Sequence, residues 1–166
     1  MNSGTYREYF RLVADGITWM EDYGIYWDVR VRSAQETIAN QYKHSWVSQN
    51  GFPTIARGGS YNFQVTVANT SAVTWQQNRV NLATSRGQDR ISSFIREGDG
   101  SSGWISPNRI QMQESSVAPG QNATFSFWMK APSNMSPGTY REYFRLVADG
   151  ITWMEDYGIY WDVRVN

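Results

Sequence analysis

Few side chains in this sequence are equipped for chemistry, and their spacing supports little of it. His44 is the only histidine. A Ser-His-Asp relay would have to run through it, and there is no G-x-S-x-G elbow to present a serine. The absence of cysteine removes thiol nucleophiles, thiolate metal sites and disulfides together. Ten of the 15 Asp and Glu residues lie in a repeated segment described below, which leaves Glu36, Asp89, Glu97, Asp99 and Glu114. No spacing among these five suggests the carboxylate pair of a glycosidase. Glu97 and Asp99, although flanked by glycine, supply too few oxygens at the wrong offsets for an EF-hand loop. Lys43 and Lys130 are the only amines for a Lys–Asn isopeptide bond. The sequons at Asn69, Asn122 and Asn134 read as turn residues as readily as glycan acceptors. The expectation is a chain that is not an enzyme, with no catalytic residue, no cofactor and no metal.

Binding chemistry is better represented, through eight tryptophans. Trp75, Trp46 and the pair Trp27 and Trp161 fit core positions, as large aromatics usually do. Trp128 shares a strand face with Thr124 and Ser126, opposite Phe125, Phe127 and Met129. It is expected to point outward, where it could stack on a sugar or a partner, or pack beneath a loop. Trp104 sits in a loop region with Arg86, Asp89, Arg90 and Arg109. A flat ring beside arginine forks makes a platform for a sugar or a peptide. The alternative is that Asp89 pairs with Arg109 or Arg90 to pin the loop. Trp19 and Trp153 also lie next to loops.

Lys plus Arg and Asp plus Glu balance at 15 each. That balance lacks the basic excess of a nucleic-acid binder and gives no attraction to an anionic membrane surface. No apolar run reaches the roughly 18 residues of a membrane helix. No signal peptide opens the sequence, so either the protein is intracellular or this is a segment of a longer secreted protein. The repeat described below favours the second reading, and the resemblance given at the end implies a secreted or cell-surface bacterial setting.

The elements that must position these residues are organised by a repeat. Gly4–Val31 and Gly138–Val165 are identical at all 28 positions, at an offset of 134. Diverged repeats keep their core pattern and vary at exposed positions, whereas here even the exposed charges match. The copy is therefore an engineered duplication or the edge of a recently amplified tandem array. Residues 4–137 and 33–166 each contain one of every segment. The chain thus holds two overlapping domain frames and one hairpin too many, which is the condition for domain swapping.

Within the repeat, Tyr6, Phe10 and Leu12 share one face, opposite Arg7, Tyr9 and Arg11. Ile25, Trp27, Val29 and Val31 alternate with Tyr26, Asp28 and Arg30. Strict alternation is the mark of a half-buried antiparallel strand. Further strands are expected from His44 to Val47, over Tyr61–Ala68 and Val80–Ala83, and over Ala123–Lys130. The stretch Thr84–Ser102 reads as a long loop with a short apolar insert at Ile91–Ile95. Proline falls only at breaks, where the missing N–H costs no ladder bond. Seven or more short strands with turns between them indicate an all-β antiparallel sandwich. The expected division is a hairpin over 1–32, a linker or short helix over 33–42 and a sandwich over 43–166.

The order of these motifs carries a resemblance. IARGGSYNFQVTVANTSAVTW at 55–75 is followed by VAPG, FWMKAP, PGTY, FRL and the closing YWDVRV. This order resembles the NBR1-type, or four-tryptophan, immunoglobulin-like domain over roughly residues 40–165. LATSRGQDR, SGWISPNR and ITWMEDYGIYW are most similar to bacterial cell-surface versions. The resemblance implies an immunoglobulin-like β-sandwich without catalysis. Its protein ligand in the autophagy-receptor version does not carry over, because most exposed positions differ.

The expected function is a structural or adhesive surface module that self-associates by hairpin exchange, as a swapped homo-oligomer or fibre. Phe10, Leu12, Ile25, Trp27, Val29 and Val31 would be the assembly face. The alternative is a carbohydrate- or peptide-binding module using Trp104, Trp128, Arg86, Asp89, Arg90 and Arg109.

Overall fold

A computed structural model describes residues 2–39, 41–95 and 102–166. The chain divides into two compact units, Met1–Ile38 and Ala39–Asn166. The first unit is the N-terminal hairpin. Its long strands β1 (Gly4–Phe10) and β4 (Ile25–Val31) pair antiparallel from Gly4↔Val31 to Phe10↔Ile25. Between them, β2 (Val13–Ala14) and β3 (Thr18–Trp19) close a short inner ladder. Gly16, at φ 74°, takes the left-handed turn between these two strands. A six-residue helix, α1 (Ala34–Ala39), follows where the sequence left linker and helix open.

The second unit is an all-β sandwich. Its strands are β5 (His44–Gln49), β6 (Thr54–Ile55), β7 (Ser60–Asn69), β8 (Trp75–Gln76), β9 (Val80–Thr84), β10 (Trp104–Ser106), β11 (Arg109–Gln111), β12 (Ser116–Val117), β13 (Asn122–Lys130), β14 (Gly138–Ala148), β15 (Thr152–Trp153) and β16 (Ile159–Val165). One sheet runs in the order β10-β11-β9-β14-β16-β6, with β15 paired to β14. The second sheet is β13-β7-β5, and β12 with β8 forms a separate ladder.

Alternation makes these strands two-faced. Phe63, Val65 and Val67 on β7, and Phe125, Phe127 and Met129 on β13, are buried. From the opposing sheet come Phe144 and Leu146 on β14, and Ile159, Trp161 and Val163 on β16. The two layers meet through aromatic edges: Trp161 lies 5.4 Å from Phe63 and 5.7 Å from Phe127. Such tilted pairs add to what area burial alone contributes.

Trp46 departs from expectation, being 53% exposed rather than part of the core. It sits on β5, the edge strand, where a bulge between Trp46 and Ser48 interrupts the ladder to β7. An edge residue at a bulge has neighbours on one side only, and alternation does not reveal which strand will be the edge.

Candidate assembly hairpin and binding cleft

The two hairpin copies have the same internal architecture. β14 and β16 pair from Gly138↔Val165 to Phe144↔Ile159, the register of β1 and β4 shifted by 134. Arg7 forks onto Asp28 through two bonds of 2.7 and 2.9 Å, and Arg141 grips Asp162 through two of 2.6 Å. Each arginine pulls its carboxyl below the ordinary aspartate range by that hydrogen bond. Arg7 lies 3.9 Å over the Tyr26 ring and Arg141 4.2 Å over Tyr160. At the tips, Gly24 N–H donates to Asp22 and Gly158 N–H to Asp156, both at 2.8 Å. The conformation is therefore written in the hairpin's own local bonds.

Surroundings distinguish the copies. In the C-terminal hairpin, Phe144, Leu146, Ile159, Trp161, Val163 and Val165 are all buried. The equivalent Phe10, Leu12, Ile25, Trp27 and Val29 are 48, 60, 44, 69 and 46% exposed, and Val31 is half-buried. The seat in the sandwich of residues 39–166 is filled by the second copy. That seat includes β9, which pairs with β14 from Phe144↔Thr84 to Ala148↔Val80, β6, which runs parallel to β16, and Phe63 and Phe127 of the facing sheet, which meet Trp161. Arg90 completes it by donating to the buried Glu142 at 2.5 Å. Burial pushes the Glu142 carboxyl up, and Arg90 opposes that shift. Glu8, its counterpart in the first copy, is exposed.

The residues expected to form one loop-end platform are divided. Asp89 accepts from Arg109, and Arg109 also donates to Asp149 at 3.0 Å while lying 5.3 Å over the Trp153 ring. Arg86, at φ 54°, stacks 4.0 Å over Tyr143. These arginines tie the 84–95 loop to β14 and the hairpin tip. Among the platform residues, the structure brings Trp104 and Trp128 together instead. They line one cleft of about 320 Å³ with Asn62, Gln77, Gln111 and Gln113. Trp128 is half-buried. Trp104 is fixed edge-on against Phe127 at 5.6 Å, with its indole N–H donating 2.9 Å to the carbonyl of Trp128. Gly103, at φ 78°, permits this approach, since a Cβ there would lie 2.2 Å from the Ser126 carbonyl.

Sequence reasoning missed the amides of this cleft. Their signal was present: Arg109–Gln113 alternates, placing Gln111 and Gln113 opposite the buried Ile110 and Met112. His44 was also undervalued. It is 3% exposed, neither ring nitrogen has a hydrogen-bond partner among the described residues, and Tyr157 packs edge-on at 4.9 Å. Burial pulls its pKa down to about 4. Among the described residues, no three His, Cys, Asp or Glu side chains gather as metal ligands. Glu97 and Asp99 lie outside the described residues. No helix among the described residues is long and apolar enough to cross a membrane.

No family model matches this chain, and no curated protein matches it. Solved structures give partial likenesses. One is a family 123 glycoside hydrolase from Clostridium perfringens, 14% identical, covering 74% of this chain and 26% of that one, with a TM-score of 0.43. Another is a β-glucosidase from Listeria innocua in complex with glucose, 13% identical, covering 75% and 16%, also with a TM-score of 0.43. The chain thus spans about a quarter or less of the length of these proteins.

Proposed function

We propose that this chain is a non-catalytic adhesive module that associates with copies of itself through its duplicated hairpin. The observation that carries this reading is a pair of identical hairpins of identical register, one with its apolar face buried and one with it exposed. Burying an apolar side chain of this size contributes about 1.5–3 kcal/mol. The six residues from Phe10 to Val31 therefore match the face that their equivalents bury within the sandwich, and a second chain would offer the same seat: the β9 and β6 edges with Phe63 and Phe127 beneath. Stoichiometry tempers the reaction: each chain supplies two hairpins and one seat, so exchange alone leaves one surplus hairpin per chain. Exchange is then nearly isoenergetic and reversible. Net attraction comes from surplus apolar faces meeting one another, set against the cost of association. Donor and seat are different surfaces, so contacts can propagate head to tail or close into a ring. A bacterial surface setting suits such a module.

Light scattering of the full chain over a wide concentration range tests this reading. The mass should rise above the 19.1 kDa of one chain as concentration increases. Trp27→Glu, which charges the exposed face and leaves the sandwich core untouched, should hold the protein at the monomer mass. Monomers at every concentration, or association that Trp27→Glu does not weaken, would overturn the proposal.

A further inference from the structure

We infer that the cleft between Trp104 and Trp128 is a binding site for a neutral glycan, separate from the assembly hairpin. Its residues come from both layers of the sandwich: Asn62 on β7, Trp104 on β10, Gln111 on β11, Trp128 on β13, and Gln77 and Gln113 from the connections. None of the described residues lining it carries a formal charge. An ionic ligand would find no counter-charge among these residues, and a charged group set against them would lose water without a partner. The cleft instead offers amides. The side chains of Gln111 and Gln113 make no hydrogen bond among the described residues. Gln77, which also lines the cleft, donates through its amide nitrogen at 2.8 Å to the carbonyl of Met112, and its side-chain oxygen makes no hydrogen bond among the described residues. A carboxamide presents two donors and an acceptor with two lone pairs. That is the complement of neighbouring hydroxyls, each of which both gives and takes a hydrogen bond.

The walls are aromatic. The Trp104 ring is fixed before any ligand arrives, by its bond to the Trp128 carbonyl and by its contacts with Phe127 and Phe144 at 5.6 and 6.2 Å. Preorganised rings lower the ordering cost of binding. A sugar presents a C–H face that suits an indole and a rim of hydroxyls that suits amides. A peptide's alternating N–H and C=O groups would instead need a free strand edge. The β13 edge beside the cleft is already engaged, by Trp128 N–H to Ser102 at 2.8 Å and Lys130 N–H to Phe94 at 2.9 Å. At about 320 Å³ the cleft lies at the small end of ligand sites, so it grips a short stretch of a longer glycan. No described residue of the C-terminal hairpin lines it. Both frames of the chain therefore retain it, and an assembled chain would present it many times, which raises avidity without a new contact.

Binding is tested on the full chain with an array of neutral oligosaccharides, acidic oligosaccharides and extended peptides, followed by titration calorimetry with the strongest neutral hexasaccharide. The expected result is a neutral oligosaccharide with Kd tighter than about 1 mM. Gln111→Ala and Gln113→Ala should each weaken it by about tenfold with circular dichroism unchanged, and Trp128→Ala should weaken it further. Trp104→Ala is a poorer probe because that ring also packs into the core. The monomeric Trp27→Glu variant should keep the same calorimetric Kd, so loss of self-association and loss of glycan binding are read separately. Binding only to peptides or acidic glycans, no neutral oligosaccharide tighter than about 1 mM, or affinity that survives Gln111→Ala/Gln113→Ala would overturn the inference.

Discussion

His44 is a neutral base sealed against the tip of the seated hairpin. Desolvation is the main cause of its low pKa. Glu155 pulls the other way, and Arg145 reinforces the depression. Above pH 6.5 the ring is neutral whether the chain is folded or unfolded. As pH falls from about 6.5 towards 4, the unfolded chain takes up a proton that the folded sandwich refuses, so stability is lost across that window. At roughly 1.4 kcal/mol per pH unit, the loss approaches about 3 kcal/mol. Glu142, raised by burial, acts in the opposite sense, and it is common to the chain and any His44 variant. Chemical denaturation at pH 7 and pH 4.5 should show a shallower pH dependence for His44→Leu than for the unmodified chain. Equal slopes would contradict a buried neutral imidazole.

At the scale of the hairpin, the same sequence has two fates. Trp161 is fully buried and Trp27 is 69% exposed, though the 23 residues before each and the four after are identical. No local reading could separate them. Alternation correctly identified the apolar face of both copies, but burial depends on whether a seat is available, and there is one seat for two hairpins. For the same reason Trp46 read as core: its strand pattern is sound, and only the sheet order reveals an edge. The Trp104–Trp128 cleft was half legible, because aromatic residues stand out in a sequence. Gln77, Gln111 and Gln113 acquire meaning only when β11 folds beside β13. The duplication also makes the two copies energetic substitutes. A buried Trp→Ala substitution ordinarily costs about 3–5 kcal/mol. Trp161→Ala should cost less than that, because an intact N-terminal hairpin can take the seat and restore the indole. Trp27→Ala/Trp161→Ala should show the full loss, a non-additivity readable in urea denaturation. If the single Trp161→Ala variant is as unstable as the double, the copies do not substitute for each other.

At the scale of the whole molecule, the proposed association places the N-terminal hairpin of one chain in the seat of another. The chain lacks cysteine, so a single engineered pair reports that contact without background. In the seated hairpin, Val147 is the direct cross-strand partner of Asn81 on β9. Directly paired antiparallel residues stand about 4.5–5.5 Å apart at Cα, within disulfide reach. Val13 is the first copy's equivalent of Val147. The decisive measurement is therefore mild oxidation of the Val13→Cys/Asn81→Cys chain, followed by non-reducing electrophoresis and thiol counting. The account predicts covalent dimers and higher species that return to single chains on reduction. A single-chain product would contradict it, whether the thiols remain free or close within one molecule.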